Sequence, residues 1–234
     1  MNTFLATLLA GSSAGFSPSY SVDFETGYTE HADVDWDLVD SWQNNSAGLR
    51  FGYIMSPKMD IIASYQHSVG SNSSPDYYYD DVEYMSSGFS GYDISVSENI
   101  FSVGPKFNWN VKSLFVPYSS AWIKHRFVPY ATAQLVVIAN TLSMADTFVG
   151  DEYANTSLQS TAMAVGGTGA LGLEIRTRPI SSKFQFHGFL EYGGTATSSM
   201  NFQLKDAASD GGSINIGDLA YQGVHFRGGV GVRF

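Results

Sequence analysis

The sequence predicts an all-β chain, an eight-stranded antiparallel up-and-down barrel that crosses a membrane, and three observations carry that expectation. Apolar and polar residues alternate with period two in eight separate segments. The polar face of those segments carries ionisable side chains deep inside them, including Glu174, Arg176, Glu191 and Arg227. The connections between segments are of unequal length, short at two links and long at four.

Composition narrows the field first. The 234 residues include 24 Gly, 7 Pro and no Cys, and only 15% are charged, against about 25% in an ordinary soluble domain. The length suits a single domain. Without cysteine there is no disulfide framework, thiolate metal site or thiol nucleophile. Twelve Lys and Arg stand against 22 Asp and Glu, a formal charge of −10, which argues against nucleic acid as a partner. The best apolar run, 135–139 (Leu-Val-Val-Ile-Ala), is far short of the roughly 18 residues that suggest a spanning helix. Glycine, serine and aromatics take the place of the usual helix formers.

Taken in order, the chain begins with a short apolar run from Phe4 to Ala10, followed by the small residues 11–15. This is the apolar core and cleavage-site half of a secretory signal, without the basic start, since no Lys or Arg precedes Arg50. Residues 1–15 therefore read as a signal-peptide remnant or an N-terminal arm, and 16–234 as one barrel domain. The first segment alternates Tyr20, Val22 and Phe24 with Ser21, Asp23 and Glu25. Leu49, Phe51, Tyr53 and Met55 form the second, and a tight turn at Ser56-Pro57-Lys58 leads into the third, Ile61, Ala63 and Tyr65. The fourth sets Phe101, Val103, Phe107 and Trp109 against Ser102, Gly104, Lys106 and Asn108. The fifth, Phe127 to Thr141, is apolar on both faces and has no assignable phase.

In the sixth, Val165, Leu171, Leu173 and Ile175 oppose Thr168, Glu174 and Arg176. The seventh sets Phe184, Phe186, Leu190 and Tyr192 against Lys183, Gln185, His187 and Glu191. In the eighth, Val224, Phe226, Val230, Val232 and Phe234 oppose His225, Arg227 and Arg233. Each segment is about ten residues long, enough for a tilted strand to cross a bilayer.

A soluble barrel also alternates, but it would turn its apolar face inward and leave the charges in water. A membrane barrel turns them into its lumen, where opposite signs pair. The short links at 56–58 and 177–182 and the long ones at 31–45, 70–98, 142–160 and 198–222 match short turns on one rim and loops on the other. The link 110–126 is too long for this pattern. Aromatics near segment ends, Tyr20, Tyr53, Trp109, Phe127, Tyr130, Tyr192, Tyr221 and Phe234, suit headgroup-level girdles. A hairpin from 77–84 and 92–96 would raise the strand count to ten.

The last twelve residues, GVHFRGGVGVRF, resemble the C-terminal signature of the small Gram-negative outer-membrane barrels of the OmpA and OmpX type. Phe226, Val230, Val232 and Phe234 fall at the matching positions. The resemblance implies a cell outer-membrane location, and it implies that these four residues are the signal read by the barrel-assembly machinery. It specifies no activity.

An eight-stranded barrel is just wide enough to be filled by its own side chains. Arg50, Lys106, Glu174, Arg176, Glu191, His225 and Arg227 are therefore expected to form a lumenal ion-pair network. Sixteen of the 22 acidic residues lie in the four long links, among them Asp33, Asp35, Asp37, Asp76 and Glu98. Lys58, Lys112, Lys124, Arg126, Arg178 and Lys183 gather at the other rim. Links 31–45 and 70–98 could meet extracellular proteins or cations, although Asp33-x-Asp35-x-Asp37 lacks the glycine and final glutamate of a calcium loop. The Tyr-rich 76–92 stretch offers contact area for protein recognition. His67-Ser68 resembles the His-x-Ser pair of outer-membrane lipid A deacylases, but adjacent strand residues point to opposite faces. The expectation is a monomeric barrel in the lipid bilayer with a structural or surface-interaction role, a plugged polar lumen and no cofactor, metal or catalysis. A narrow porin-like channel and a lipid-modifying enzyme stand as alternatives.

Overall fold

The computed structural model describes residues 18–31, 42–77, 90–109, 127–148, 157–177, 179, 184–206 and 213–234. They form β1 (Tyr20–His31), β2 (Trp42–Ser56), β3 (Met59–Tyr77), β4 (Ser90–Asn108), β5 (Phe127–Phe148), β6 (Ser157–Arg176), β7 (Gln185–Asp206) and β8 (Ser213–Arg233). Each strand pairs antiparallel with its neighbour in sequence, and β8 returns to β1 to close the barrel. The closing seam runs from Ser21↔Arg233 to His31↔Gly223. It is finished at the rim, where Ser19 N–H and Tyr20 N–H donate to the Phe234 carbonyl at 2.9 Å, and Phe234 N–H donates to the Tyr20 carbonyl at 2.9 Å. The strand count is eight. Of the alternative hairpin, Tyr77 ends β3 and 92–96 lie within β4, the two strands pairing as far out as Tyr77↔Ser90, while 78–84 lie outside the described residues.

Burial follows the period-two pattern with the soluble arrangement inverted. Phe24, Phe51, Tyr53, Phe101, Val103, Leu171, Phe186, Leu190, Phe226 and Val230 are exposed, whereas Asp23, Glu25, Arg50, Lys106, Glu174, Glu191 and Arg227 are buried. Leu135 is 69% exposed while Glu174 is 0% exposed. Apolar side chains of this size lie side by side around the whole wall, a surface that water would not tolerate. Outward apolar positions run from Ile61 to Val69 on β3 and from Phe127 to Ala139 on β5. At about 3.3 Å per residue and a tilt of about 40°, these lengths bracket the roughly 25 Å apolar band of a membrane barrel. Tyr20 stacks on Tyr53 and Phe234 at 5.6 and 6.1 Å between centroids, and with exposed Phe107, Trp109, Phe127 and Phe184 it forms the aromatic girdle of the rim where β1 begins and β8 ends.

The strands outrun the sequence segments. Their lengths are 12 to 22 residues, because β3 through β8 continue well into the stretches expected as loops. Beyond the apolar band Ser, Gly, Asn and Asp are mixed with scattered apolar residues, which breaks the hydropathy contrast, yet the backbone ladder does not need one. Glu98, counted with the loop acids, instead lies within β4, facing inward and buried. The phase of β5 is also settled: Tyr130, Thr132, Gln134, Val136, Ile138, Asn140 and Leu142 are the buried set. Tyr130 is thus a lumenal residue and no part of the girdle. Residues 1–17 and 110–126, the Asp33–Asp37 triplet and Lys183 lie outside the described residues.

Leu135→Arg places a cation on the lipid face and is expected to cost about 2–4 kcal/mol, whereas Leu135→Ile should be nearly neutral. Urea unfolding from phosphatidylcholine vesicles measures both; equal stability of the two variants would refute a lipid contact at this position.

Candidate functional site

The lumen is the candidate site, and the alternation of each strand builds it. Six carboxylates (Asp23, Glu25, Asp60, Glu98, Glu174, Glu191) point inward with Arg50, Lys106, Arg176, Arg227 and Arg233. His187 and His225 are buried beside them. The signs are therefore nearly balanced among the described residues, as a buried charge requires.

One cluster centres on Glu191. Arg50 grips it bidentately, Nη1 donating to Oε2 at 3.0 Å and Nη2 to Oε1 at 2.8 Å. Arg227 Nε lies 3.0 Å from Oε1, and the Tyr130 hydroxyl donates to Oε2 at 3.0 Å. Arg50 also pairs with Glu25 at 2.8 Å, and Gln66 donates to that same carboxylate at 2.7 Å. The Arg50 guanidinium lies over Phe189, 4.3 Å from the ring centroid, so its second face meets a π-cloud where water would otherwise be needed. His225 Nε2 sits 2.6 Å from Arg227 Nη2.

A second cluster centres on Glu174. Arg176 Nε and Arg233 Nη1 donate to Oε1 at 2.7 and 2.8 Å, and Lys106 Nζ bonds Oε2. Asp60 stands behind, 3.9 Å from Lys106 and 4.0 Å from Arg233, and accepts from Asn108 at 3.1 Å. Asp23 and His187 form a separate pair at 2.6 Å. Tyr130 joins the two clusters: its hydroxyl serves Glu191, and Lys106 Nζ lies 4.4 Å from the centroid of its ring. The ring fits because the facing residue is Gly172, where a Cβ would overlap it. Gly231 likewise leaves the space that the Asp23 carboxylate occupies.

Further along the strands the lumen becomes neutral. Ser64 and Ser102 share a hydrogen bond of 2.6 Å and Gln134 donates to Ser102 at 3.1 Å, while Thr195 donates to Thr168 at 3.1 Å. Past this layer the buried inward side chains mix Val96, Ile138, Leu142, Ala164 and Met200 with Asn44, Ser68, Glu98 and Asn140. Glu98 and Asn140 are register partners between Val96↔Leu142 and Ile100↔Ile138, so polar and apolar groups are interleaved there.

The seven residues expected to form the network lie as follows. Arg50, Glu191, Arg227 and His225 meet in the first cluster, and Lys106, Glu174 and Arg176 in the second. The network named from sequence left out Glu25, Asp60, Arg233, Asp23 and His187, although each stood on the polar face of its segment, and it left out Tyr130. The parity of strands β1, β3, β7 and β8 contained the signal for all but Tyr130, which lies on the unphased β5. Phe226, Val230 and Phe234 are exposed on the lipid face, with Val232 half-buried. His67 is exposed and Ser68 buried, on opposite faces of β3, and the β3–β4 register runs through them without a bulge. They form no dyad. Among the described residues no group of His, Asp and Glu is placed to hold a metal ion.

No family model matches the chain, and no curated protein matches it. Among solved structures it is similar to Neisserial surface protein A, at 12% identity over 92% of this chain and 97% of that one, with a TM-score of 0.45. It is similar to OprG of Pseudomonas aeruginosa, at 12% identity over 96% and 99%, TM-score 0.47. It is also similar to Ail, the attachment invasion locus protein of Yersinia pestis, at 14% identity over 93% and 100%, TM-score 0.40.

Glu191→Ala strands two buried guanidinium groups and is expected to destabilise the barrel by about 3–5 kcal/mol, while Tyr130→Phe removes one hydrogen bond and costs about 1 kcal/mol. The midpoint of urea unfolding in lipid distinguishes them, and a Glu191→Ala variant as stable as Tyr130→Phe would mean that the cluster carries no net charge pairing.

Proposed function

We propose that this chain is a monomeric barrel of the outer membrane, embedded in lipid as a scaffold that holds its acidic outer loops toward the medium, with a lumen closed to solutes. A closed wall of strands with an apolar exterior is the outer-membrane type of barrel. The single observation that supports the closed-scaffold reading is the filling of the lumen in series. An ion would have to break the charge clusters around Glu174 and Glu191, each held by three or more partners, and would strand buried charge in doing so. The excess of acid in 31–45, 70–98, 142–160 and 198–222 supports an outer surface selective for cationic or basic partners.

The C-terminal strand supports an assembly role for its last residues. Its outward aromatic Phe234 closes the rim against Tyr20 and shares the exposed face of the strand with Phe226 and Val230.

Purified protein in planar bilayers is expected to give no discrete conductance steps; reproducible steps would establish the narrow channel in place of the scaffold. In Gram-negative cells, Phe234→Ala should lower the folded, heat-modifiable fraction several-fold while leaving the unfolded precursor detectable. Unchanged assembly of that variant would remove Phe234 from the signal.

A further inference from the structure

On the outward face of β3 the positions from Ile61 to Val69 are apolar or aromatic with one exception, His67, which is exposed. Its register partner on β4 is half-buried Asn99, and the outward pair one step nearer the β2–β3 turn is Tyr65↔Phe101. His67 lies eight residues along β3 from Met59, about 20 Å up the bilayer normal at about 3.3 Å per residue and a tilt of about 40°. That depth is just inside the outer edge of the roughly 25 Å apolar band, and lipid-exposed Val69 stands beyond it. Polar groups on a wall that faces lipid are costly unless something meets them.

Part of that requirement is met within the cluster. The Tyr65 hydroxyl donates to Asn99 Oδ1 at 2.8 Å, and His67 Nδ1 lies 3.3 Å from the same oxygen. An amide oxygen only accepts, so in the neutral imidazole the proton stands on Nδ1 and Nε2 is left as an acceptor. The Asn99 amide nitrogen keeps two donor N–H groups. Neither it nor His67 Nε2 bonds a protein group among the described residues. A donor and an acceptor thus stand side by side on facing strands, at residues whose Cβ atoms are about 5 Å apart.

The neighbours leave this pair accessible from the bilayer. Ala47 faces His67 on β2 and Ala139 faces Asn99 on β5, so the flanking side chains at this level are single methyl groups. Toward the membrane centre Tyr65 and Phe101 pack ring on ring, 4.9 Å between centroids, and are 40% and 50% exposed. Polar atoms above an exposed aromatic pair suit a ligand with one wet end and one apolar end.

We infer that this outward β3–β4 cluster binds the sugar headgroup of a membrane glycolipid. A sugar hydroxyl or amide spans Asn99 Nδ2 and His67 Nε2, and the first methylenes of the acyl chain lie on Tyr65 and Phe101. Such a group both donates and accepts, as the pair demands. A phosphodiester offers only acceptor oxygens, would set a lone pair against Nε2, and is repelled by the acid concentrated in the long links. A choline headgroup has no donor to give. The cluster faces hydrocarbon, so the ligand reaches it from the leaflet. This inference rests on the membrane-embedded reading of the barrel.

The test uses full-length protein in phosphatidylcholine nanodiscs that carry a small fraction of one probe lipid: monoglucosyl diacylglycerol, diacylglycerol or phosphatidic acid with the same acyl chains. Lipid retained on the protein after detergent release is counted by native mass spectrometry. Wild-type protein is expected to retain the glucosyl lipid several-fold more than either other probe. His67→Phe and Asn99→Leu, which place apolar side chains on the lipid face and should keep heat-modifiable mobility, should each lower it to the level of diacylglycerol. His67→Gln, which restores an acceptor, should recover part of it, and Tyr192→Phe, on exposed wall elsewhere, should leave it unchanged. Equal retention of the three probes, a preference for phosphatidic acid, or a glucosyl preference indifferent to His67→Phe and Asn99→Leu would overturn the site and leave the membrane reading intact. A chain that carries no lipid out of the nanodisc, phosphatidylcholine included, would overturn both.

Discussion

Closure of β8 onto β1 is the constraint from which the remaining structure follows. In hydrocarbon there is no water to take up an unpaired N–H or C=O, so a sheet can cross only if it has no edge. Ser21↔Arg233 through His31↔Gly223 removes that edge, and the Phe234–Tyr20 bonds extend pairing to the last residue. Once the sheet is closed, every second side chain must point at lipid and every other one at a narrow tube, and no third environment exists for the strand residues within the bilayer.

The tube must then be filled by groups that satisfy one another. Two carboxylates, Glu174 and Glu191, act as hubs because each offers two oxygens to converging cations from different strands. Arg50 comes from β2, Arg227 from β8 and Tyr130 from β5. Arg227 is the register partner of Glu191 on the neighbouring strand, but Arg50 and Tyr130 come from strands that share no ladder with β7, so the cluster braces the barrel across its diameter while the ladders hold it around its circumference. The small residues opposite the large ones follow from the same geometry: Tyr130 lies across the lumen only because Gly172 leaves room for it.

The two ion-pair clusters fill the lumen near the rim where β1 begins and β8 ends, where they give the tube rigidity and block ions. Further along, apolar Val96, Ile138 and Leu142 alternate with buried Glu98 and Asn140, so polar groups continue along the inner face beyond the clusters.

Much of this was written in the order of residues. Period-two alternation with ionisable side chains on the inner parity identified the membrane barrel, the direction of Arg50, Lys106, Glu174, Glu191 and Arg227, and the outward face of the last strand, because lipid and lumen impose opposite chemistry on successive positions. Alternation could not say how far each strand runs beyond the bilayer, since the outer stretches mix Ser, Gly and Asp with scattered apolar residues, and so Glu98 was assigned to a loop. It could not phase β5, where both faces are apolar, and Tyr130 was lost with it. Which cation meets which carboxylate, and that Asn99 stands beside His67, depend on the stagger of strands around the closed barrel. These are relations between segments distant in the chain, and only the folded wall determines them.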